Sequence, residues 1–187
     1  MRKAVVALAF VAMTAGVVLA ARARQEGGMP PSPKPSKDHE WLKNLEGTWT
    51  FAGEFYMAGP DKPPMKSKGT QVDKLGCNGL WLIIDSQEEG GMGFKGHGMS
   101  GYDGTKQKFV GTWVDSMSTS IMSSEGTVDK DGKVLTMAGE FLNEGVAIKY
   151  REVTTIKDKD HKTMEMFITG GDGKEMKMGV LEYTRKK

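Results

Sequence analysis

Between Thr48 and Arg185 the sequence alternates apolar and polar residues in about ten runs, and short clusters of Gly, Asp, Asn and Pro separate them. No helical period longer than two turns interrupts the series. A side-chain period of two marks strands with one dry and one wet face, and a long succession of short strands leaves few architectures open. The runs fall at 48–58, 66–75, 79–88, 93–102, 106–115, 118–128, 133–142, 146–157, 162–169 and 174–185. Asp103-Gly104, Asp131-Gly132, Glu144-Gly145 and Gly171-Asp172-Gly173 are turn sequences that supply positive φ between antiparallel neighbours, so they predict an up-and-down meander. Many of the 25 glycines fall in such turns or inside the runs, where strands bend steeply enough to close a barrel.

Gly47-Thr48-Trp49 opens this series and Tyr183-Thr184-Arg185 closes it. In a closed barrel the first and last strands are neighbours. An Arg on the last can then lie across a Trp on the first, a stacking and cation–π contact of roughly 0.5–2 kcal/mol, and closure removes both sheet edges. The predicted fold is therefore all-β, a closed antiparallel up-and-down barrel of about ten strands, with Trp49 and Arg185 as closure residues. Ahead of it, Trp41, Leu42 and Leu45 stand at i, i+1 and i+4, a short helical turn with Asp38 as its N-cap and Gly47 as its end. In the last hairpin a three-residue loop, 171–173, sets Met166 opposite Met178, Ile168 opposite Met176 and Met164 opposite Val180. A two-residue loop would set Lys177 and Glu175 against that apolar face, so the longer loop is expected.

The N-terminus points to a compartment. Arg2 and Lys3 precede an uncharged run from Ala4 to Ala21, and Val18-Leu19-Ala20 and Ala21-Arg22-Ala23 both meet the small-x-small rule for cleavage. Residues 1–23 read as a signal peptide, so the protein is expected to be secreted or periplasmic. The alternative is an uncleaved N-terminal anchor, since a run of about 18 residues is the short limit for crossing a bilayer. Residues 24–38 hold four of the seven prolines and read as a disordered Pro-rich tether. Residues 39–187 then form one domain with one core, and no transmembrane segment remains after cleavage. Cys77 is the single cysteine; it excludes an intrachain disulfide and is expected to be a small buried hydrophobe.

Loss of Arg2, Lys3 and Arg22 on cleavage takes the formal net charge from +2 to −1. The remaining charges of both signs are interspersed, with no clustered positive face, so nucleic acid is not an expected partner.

Four marker groups recur in order: His39-x-x-Leu42-x-x-Leu45-x-Gly47-Thr48-Trp49, Gly96-x-Gly98-x-x-Gly101-Tyr102-Asp103, Trp113-x-Asp115-Ser116 and Glu182-Tyr183-Thr184-Arg185. Together they resemble the uncharacterised bacterial family catalogued as domain of unknown function 1579, over nearly all of residues 39–186. That family looks calycin-like, and Gly47-x-Trp49 with Arg185 is similar to the lipocalin signature in which those side chains pack together. The resemblance implies a barrel with a central cavity and no activity. The haem-binding nitrobindin barrel is similar in its opening Gly-x-Trp and ten strands. Haem needs an axial ligand on a cavity-facing strand, and of His39, His97 and His161 only His97 stands where it can point inward.

Other patterns resolve to structure. Gly96-His97-Gly98-Met99-Ser100-Gly101 matches a dinucleotide fingerprint, but Tyr102-Asp103-Gly104 then makes a hairpin where a helix N-terminus is required. Its glycines are expected to permit a tight bend, or else the close approach of a ligand. Asp129-Lys130-Asp131-Gly132 lacks the remaining oxygens of a calcium loop and reads as a turn. Twelve methionines follow residue 23. Thioethers can hold Cu(I), yet without a supporting His or Cys they read as adaptable filler or pocket lining. Ser100, Ser116 and Ser118 have no His partner in a shared motif, so no catalytic residue is assigned.

The reading that emerges is a barrel binding a small apolar or amphipathic molecule, with no cofactor and no metal. Tyr102, Trp113, Asp115, Arg151, Met166 and Met178 are its candidate pocket residues. Asp115, Arg151 and Glu182 can alternatively form ion pairs at the rim. The competing readings are an envelope-associated interaction module whose core is filled by its own side chains, and an enzyme on the same barrel. A cavity of roughly 300–1,000 Å³ distinguishes the first from the second, and a strongly perturbed carboxylate or histidine inside the barrel favours the third.

Overall fold

The computed structural model describes residues 32–57, 59, 62–143 and 145–187; the expected signal peptide and the first part of the expected tether lie outside them. A short helix α1 (Lys37–Trp41) runs into a 3-10 turn (Leu42–Asn44), and ten strands follow. They are β1 (Gly47–Phe55), β2 (Met65–Gly76), β3 (Trp81–Glu88), β4 (Lys95–Asp103), β5 (Lys108–Asp115), β6 (Met122–Val128), β7 (Val134–Asn143), β8 (Val146–Ile156), β9 (His161–Thr169) and β10 (Glu175–Arg185). Each pairs antiparallel with its neighbours in sequence, and β10 pairs back onto β1 to close the barrel. The alternation of the sequence becomes an inner and an outer wall. Starting from buried Trp49 and Phe51, the register carries the inward face through Gln71 and Gly69, Ser86 and Glu88, and on around to Leu181 and Tyr183.

Closure of ten short strands demands sharp bends, and glycine supplies them on the inner wall. A Cβ on Gly126 would strike the carbonyl oxygen of Thr136, and one on Gly139 that of Ser123, so β6 and β7 approach more closely than any side chain there allows. One end of the barrel is capped. Leu42 and Leu45 are buried with Leu82, Phe109 and Leu135, and the Trp41 indole donates to the Gly132 carbonyl in the β6–β7 turn at 2.8 Å. The turns β2–β3, β4–β5, β6–β7 and β8–β9 share this capped end. The other five connections lie at the opposite end.

The closure motif has a steric logic. The Arg185 guanidinium stands 4.1 Å from the centre of the Trp49 ring, and Trp49 donates from its indole nitrogen to the Leu45 carbonyl at 2.9 Å. Arg185 also donates to the Lys159 carbonyl at 2.8 Å and to that of Glu46. A Cβ at Gly47 would occupy the place of the guanidinium, and its φ of 145° disfavours other residues. Arg185→Ala is expected to lower stability by about 1–2 kcal/mol, read as a shift in the denaturant midpoint. An unchanged midpoint would show that these contacts contribute nothing.

Four local expectations are corrected. Ser36, not Asp38, is the N-cap of α1: its backbone N–H and hydroxyl both meet the His39 imidazole, at 3.0 and 2.8 Å. Strand β6 starts at Met122 because Ser118 accepts the Ser120 N–H and Asp115 that of Met117, so 116–121 satisfies its backbone locally. Cys77 is exposed, at a φ of 50° in the β2–β3 turn. The last hairpin has its three-residue loop, with Ile168 opposite Met176, but a bulge follows and Met166 meets Gly179 and Met164 meets Leu181. The Met178 carbonyl accepts the Tyr56 N–H at 2.8 Å, which holds the bulge toward β1.

Candidate functional site

Inside the capped half of the barrel lies a cavity of about 110 Å³, bounded by Leu45, Leu82, Leu135 and Met137 on its apolar side. Its polar side is a chain of hydrogen bonds from three strands, β2, β9 and β10. The Lys162 ammonium donates to Asp73 at 2.6 Å, Gln71 donates its amide to the same carboxylate at 2.9 Å, and the Tyr183 hydroxyl donates to the Gln71 carbonyl oxygen at 3.1 Å. Both charged groups are almost wholly out of water, with side-chain exposures of 5% for Lys162 and 1% for Asp73. Burial pushes the Asp73 carboxyl up and the Lys162 ammonium down, while their mutual attraction opposes both shifts. Lys162 also stands 4.3 Å from the Trp49 ring centre and 5.0 Å from that of Tyr183, so one indole serves both the interior cation and Arg185.

Glu152 lines the same cavity from β8. Among the described residues nothing donates to its carboxyl and no cation pairs with it, and desolvation alone raises its pKa to about 7. The barrel wall surrounds this group while leaving part of its surface facing the cavity. Ser100, Ser124 and Thr154 complete the polar lining. The arrangement can hold a small polar group that either donates to the ionised carboxyl or accepts from the protonated one. A fully satisfied network beside it fixes the surrounding walls.

None of the six candidate pocket residues borders this cavity. Tyr102 is on the inner wall but belongs to the cap, edge-on to Phe109 at 5.3 Å and to His39 at 5.8 Å. Trp113 lies toward the uncapped end, where its indole covers Gly96 and Gly98: a Cβ on either would collide with the ring. The paired glycines are thus a bed for the protein's own Trp, which covers the surface a ligand would need there. Asp115 accepts that indole N–H at 3.0 Å and the Met117 N–H at 2.8 Å, which accounts for the Trp-x-Asp spacing.

Arg151 requires correction. It faces outward, between Ala138 and Phe167, donates to Glu175 at 2.8 and 2.6 Å and covers the Phe167 ring at 4.1 Å. Glu182 is on the outer wall too, 3.9 Å from Lys157. Met166 faces inward opposite Glu152, and Met178 is the bulge residue. His97 points outward to Asp85. The residues that do line the cavity carried one signal in the sequence: Lys162 shares its parity with Met164, Met166 and Ile168, and Glu152 with Ile148, Tyr150 and Ile156.

A family model described as "Protein of unknown function (DUF1579)" matches residues 34–185. The chain belongs to that family. No curated protein matches the sequence. Among solved structures, this DUF1579 member is similar to the crystal structure of Rv2717c from M. tuberculosis, with a TM-score of 0.60 and 12% identity over 81% of this chain and 99% of that one. That likeness concerns the fold. Weaker likenesses, each at 12% identity, are to a redesigned β-barrel (TM-score 0.42, 83% of this chain and 100% of that) and to EF1p2_mFAP2b bound to DFHBI (0.39, 81% and 100%).

Proposed function

We propose that this DUF1579 member binds a small amphipathic molecule inside its barrel. The polar group meets Glu152, and the apolar part extends toward the uncapped end past Met166 and Ile168, which succeed Glu152 on the inner wall. The observation that carries this reading is the half-buried Glu152 carboxyl, which lines the cavity with no hydrogen-bond partner among the described residues. Partial desolvation of such a group without a partner costs free energy, and a ligand that supplies a hydrogen bond recovers that cost. The cavity of about 110 Å³ is below the range usual for drug-sized ligands. It suits a hydroxyl or amine head group of a few heavy atoms, because Asp73, Lys162, Gln71 and Glu152 join the Met and Leu side chains of its lining. The small-x-small sites at the end of the run from Ala4 to Ala21 support export, and with it a ligand met outside the cytoplasm.

A second reading has an observation of its own. A carboxyl that titrates near neutrality beside Ser100, Ser124 and Tyr183 is poised for proton transfer, as an enzyme would need. Native mass spectrometry of the protein purified from its own source decides between them. The expected result is an adduct released on denaturation and absent from Glu152→Gln. Bare polypeptide for both proteins would overturn the binding reading and leave a barrel core filled by its own side chains. Conversion of the released molecule by fresh wild-type protein, but not by the variant, would establish the enzyme.

A further inference from the structure

The two ends of the barrel differ in chemistry. Eight exposed large apolar side chains, between 41% and 67% exposed, stand in or beside the five connections of the uncapped end. They are Met57 and Met65 flanking β1–β2, Met92 in β3–β4, Met117 and Ile121 in β5–β6, Leu142 and Val146 at β7–β8, and Met176 after β9–β10. Every connection at that end contributes. The turns of the capped end contribute none of the exposed large apolar residues among the described ones, the remaining three, Val72, Met99 and Val114, lying within strands, and those turns instead carry Lys130, Asp131, Lys133, Lys157, Asp158, Lys159 and Asp160. A cluster of this extent at one end of a molecule marks an interaction site.

We infer that the uncapped end docks on a lipid bilayer surface, with these loop side chains entering the boundary between head groups and acyl chains. Two observations select lipid over a protein partner. The apolar groups are single side chains on five separate loops around a ring, whereas the concave surfaces of the outer wall, which a folded partner would fit, are lined by charged residues such as Glu54, Lys66, Lys68 and Glu89, or Glu125, Glu140, Lys149 and Arg151. The ring's charges are of both signs, with Lys62, Lys95 and Lys174 beside Glu89 and Asp172, which suits a zwitterionic surface rather than an acidic or basic partner. This docking does not depend on the Glu152 cavity.

The test uses the full chain with phosphatidylcholine vesicles and an environment-sensitive nitrobenzoxadiazole label at one of two places. Native Cys77, exposed at the capped end, takes the label in one protein. The second protein carries Cys77→Ser and Met117→Cys and takes it in the β5–β6 loop. On adding vesicles, emission from position 117 is expected to rise severalfold and shift to shorter wavelength, while emission from position 77 stays unchanged. Adding Ile121→Ser and Leu142→Ser should remove most of that response; both side chains are exposed, so the melting temperature should hold and separates lost docking from lost folding. Equal responses at the two positions, or none at position 117, would overturn the inference. A blue-shifted label at position 117 without lipid, together with a dimer in sedimentation, would assign the ring to a second copy of the chain instead.

Discussion

Replacing Lys162 by Met is expected to cost about 3–5 kcal/mol of folding stability at neutral pH, because it leaves the Asp73 carboxylate buried without its cation. Asp73 sits 2.6 Å from Lys162 at 1% side-chain exposure, and once Lys162 is gone the Gln71 amide alone among the described residues still donates to its carboxyl. Burial already raises this carboxyl, and removing the neighbouring positive charge raises it further. The deficit of the variant is therefore largest at high pH and shrinks as acid protonates Asp73, because a group with a raised folded-state pKa gives up stability as pH rises. Urea unfolding at several pH values reads this directly. The double variant Lys162→Met with Asp73→Leu should recover most of the loss, since no isolated charge remains. A single variant as stable as the parent would show that water or another group reaches Asp73.

Glu152→Gln is expected to stabilise the ligand-free protein by about 2 kcal/mol at pH 8 and to leave it nearly unchanged at pH 4. The carboxyl titrates at about 7 in the folded chain against 4.5 for an ordinary Glu. Stability from the neutral form is complete below the lower value and is lost as pH rises from about 4.5 to about 7, where folding must bury a charge that the unfolded chain leaves in water. The cavity admits some water to the carboxyl, so the expected gain is set below the full linkage value of about 3 kcal/mol. The other titratable groups on this cavity, Asp73, Lys162 and Tyr183, are retained in the variant. A stability difference that does not change with pH would show that Glu152 is not held out of water. A stabilised variant that also loses its bound molecule would have exchanged function for stability.

The two variants probe interior charges, and these were the least legible part of the sequence. Strand positions could be read because period-two alternation and Gly-containing turns are local: nine of the ten expected runs begin within two residues of the observed strands, and β6 departs only because serine side chains satisfy its approach. The inner face was harder. On β8 one parity holds Ile148, Tyr150, Glu152 and Ile156, and the other Ala147, Lys149, Arg151 and Val153. Both parities mix apolar and charged residues, so the expectation that Arg151 lines the pocket takes one of two open choices, and the register makes the inward residue Glu152. The bulge at Met178 was hidden for a related reason: a hairpin considered alone gives no sign that β1 draws the Met178 carbonyl toward Tyr56.

By itself the sequence determined that this chain is a closed meander of ten strands, that Trp49 and Arg185 meet where it closes, and that a short helical turn precedes the first strand. Those features rest on side-chain periodicity, turn chemistry and the steric demands of Gly47, which act over a few residues or at the two ends of one sheet. Only the tertiary structure decided what the interior holds. Asp73 and Lys162 are 89 positions apart and come from strands that are not neighbours in the barrel, and Glu152 is isolated because three-dimensional packing puts methionines, Met137 and Met166, beside it on both flanking strands. The apolar ring at the uncapped end is likewise a product of closure, which gathers into one rim five loops that the sequence spreads across more than a hundred residues.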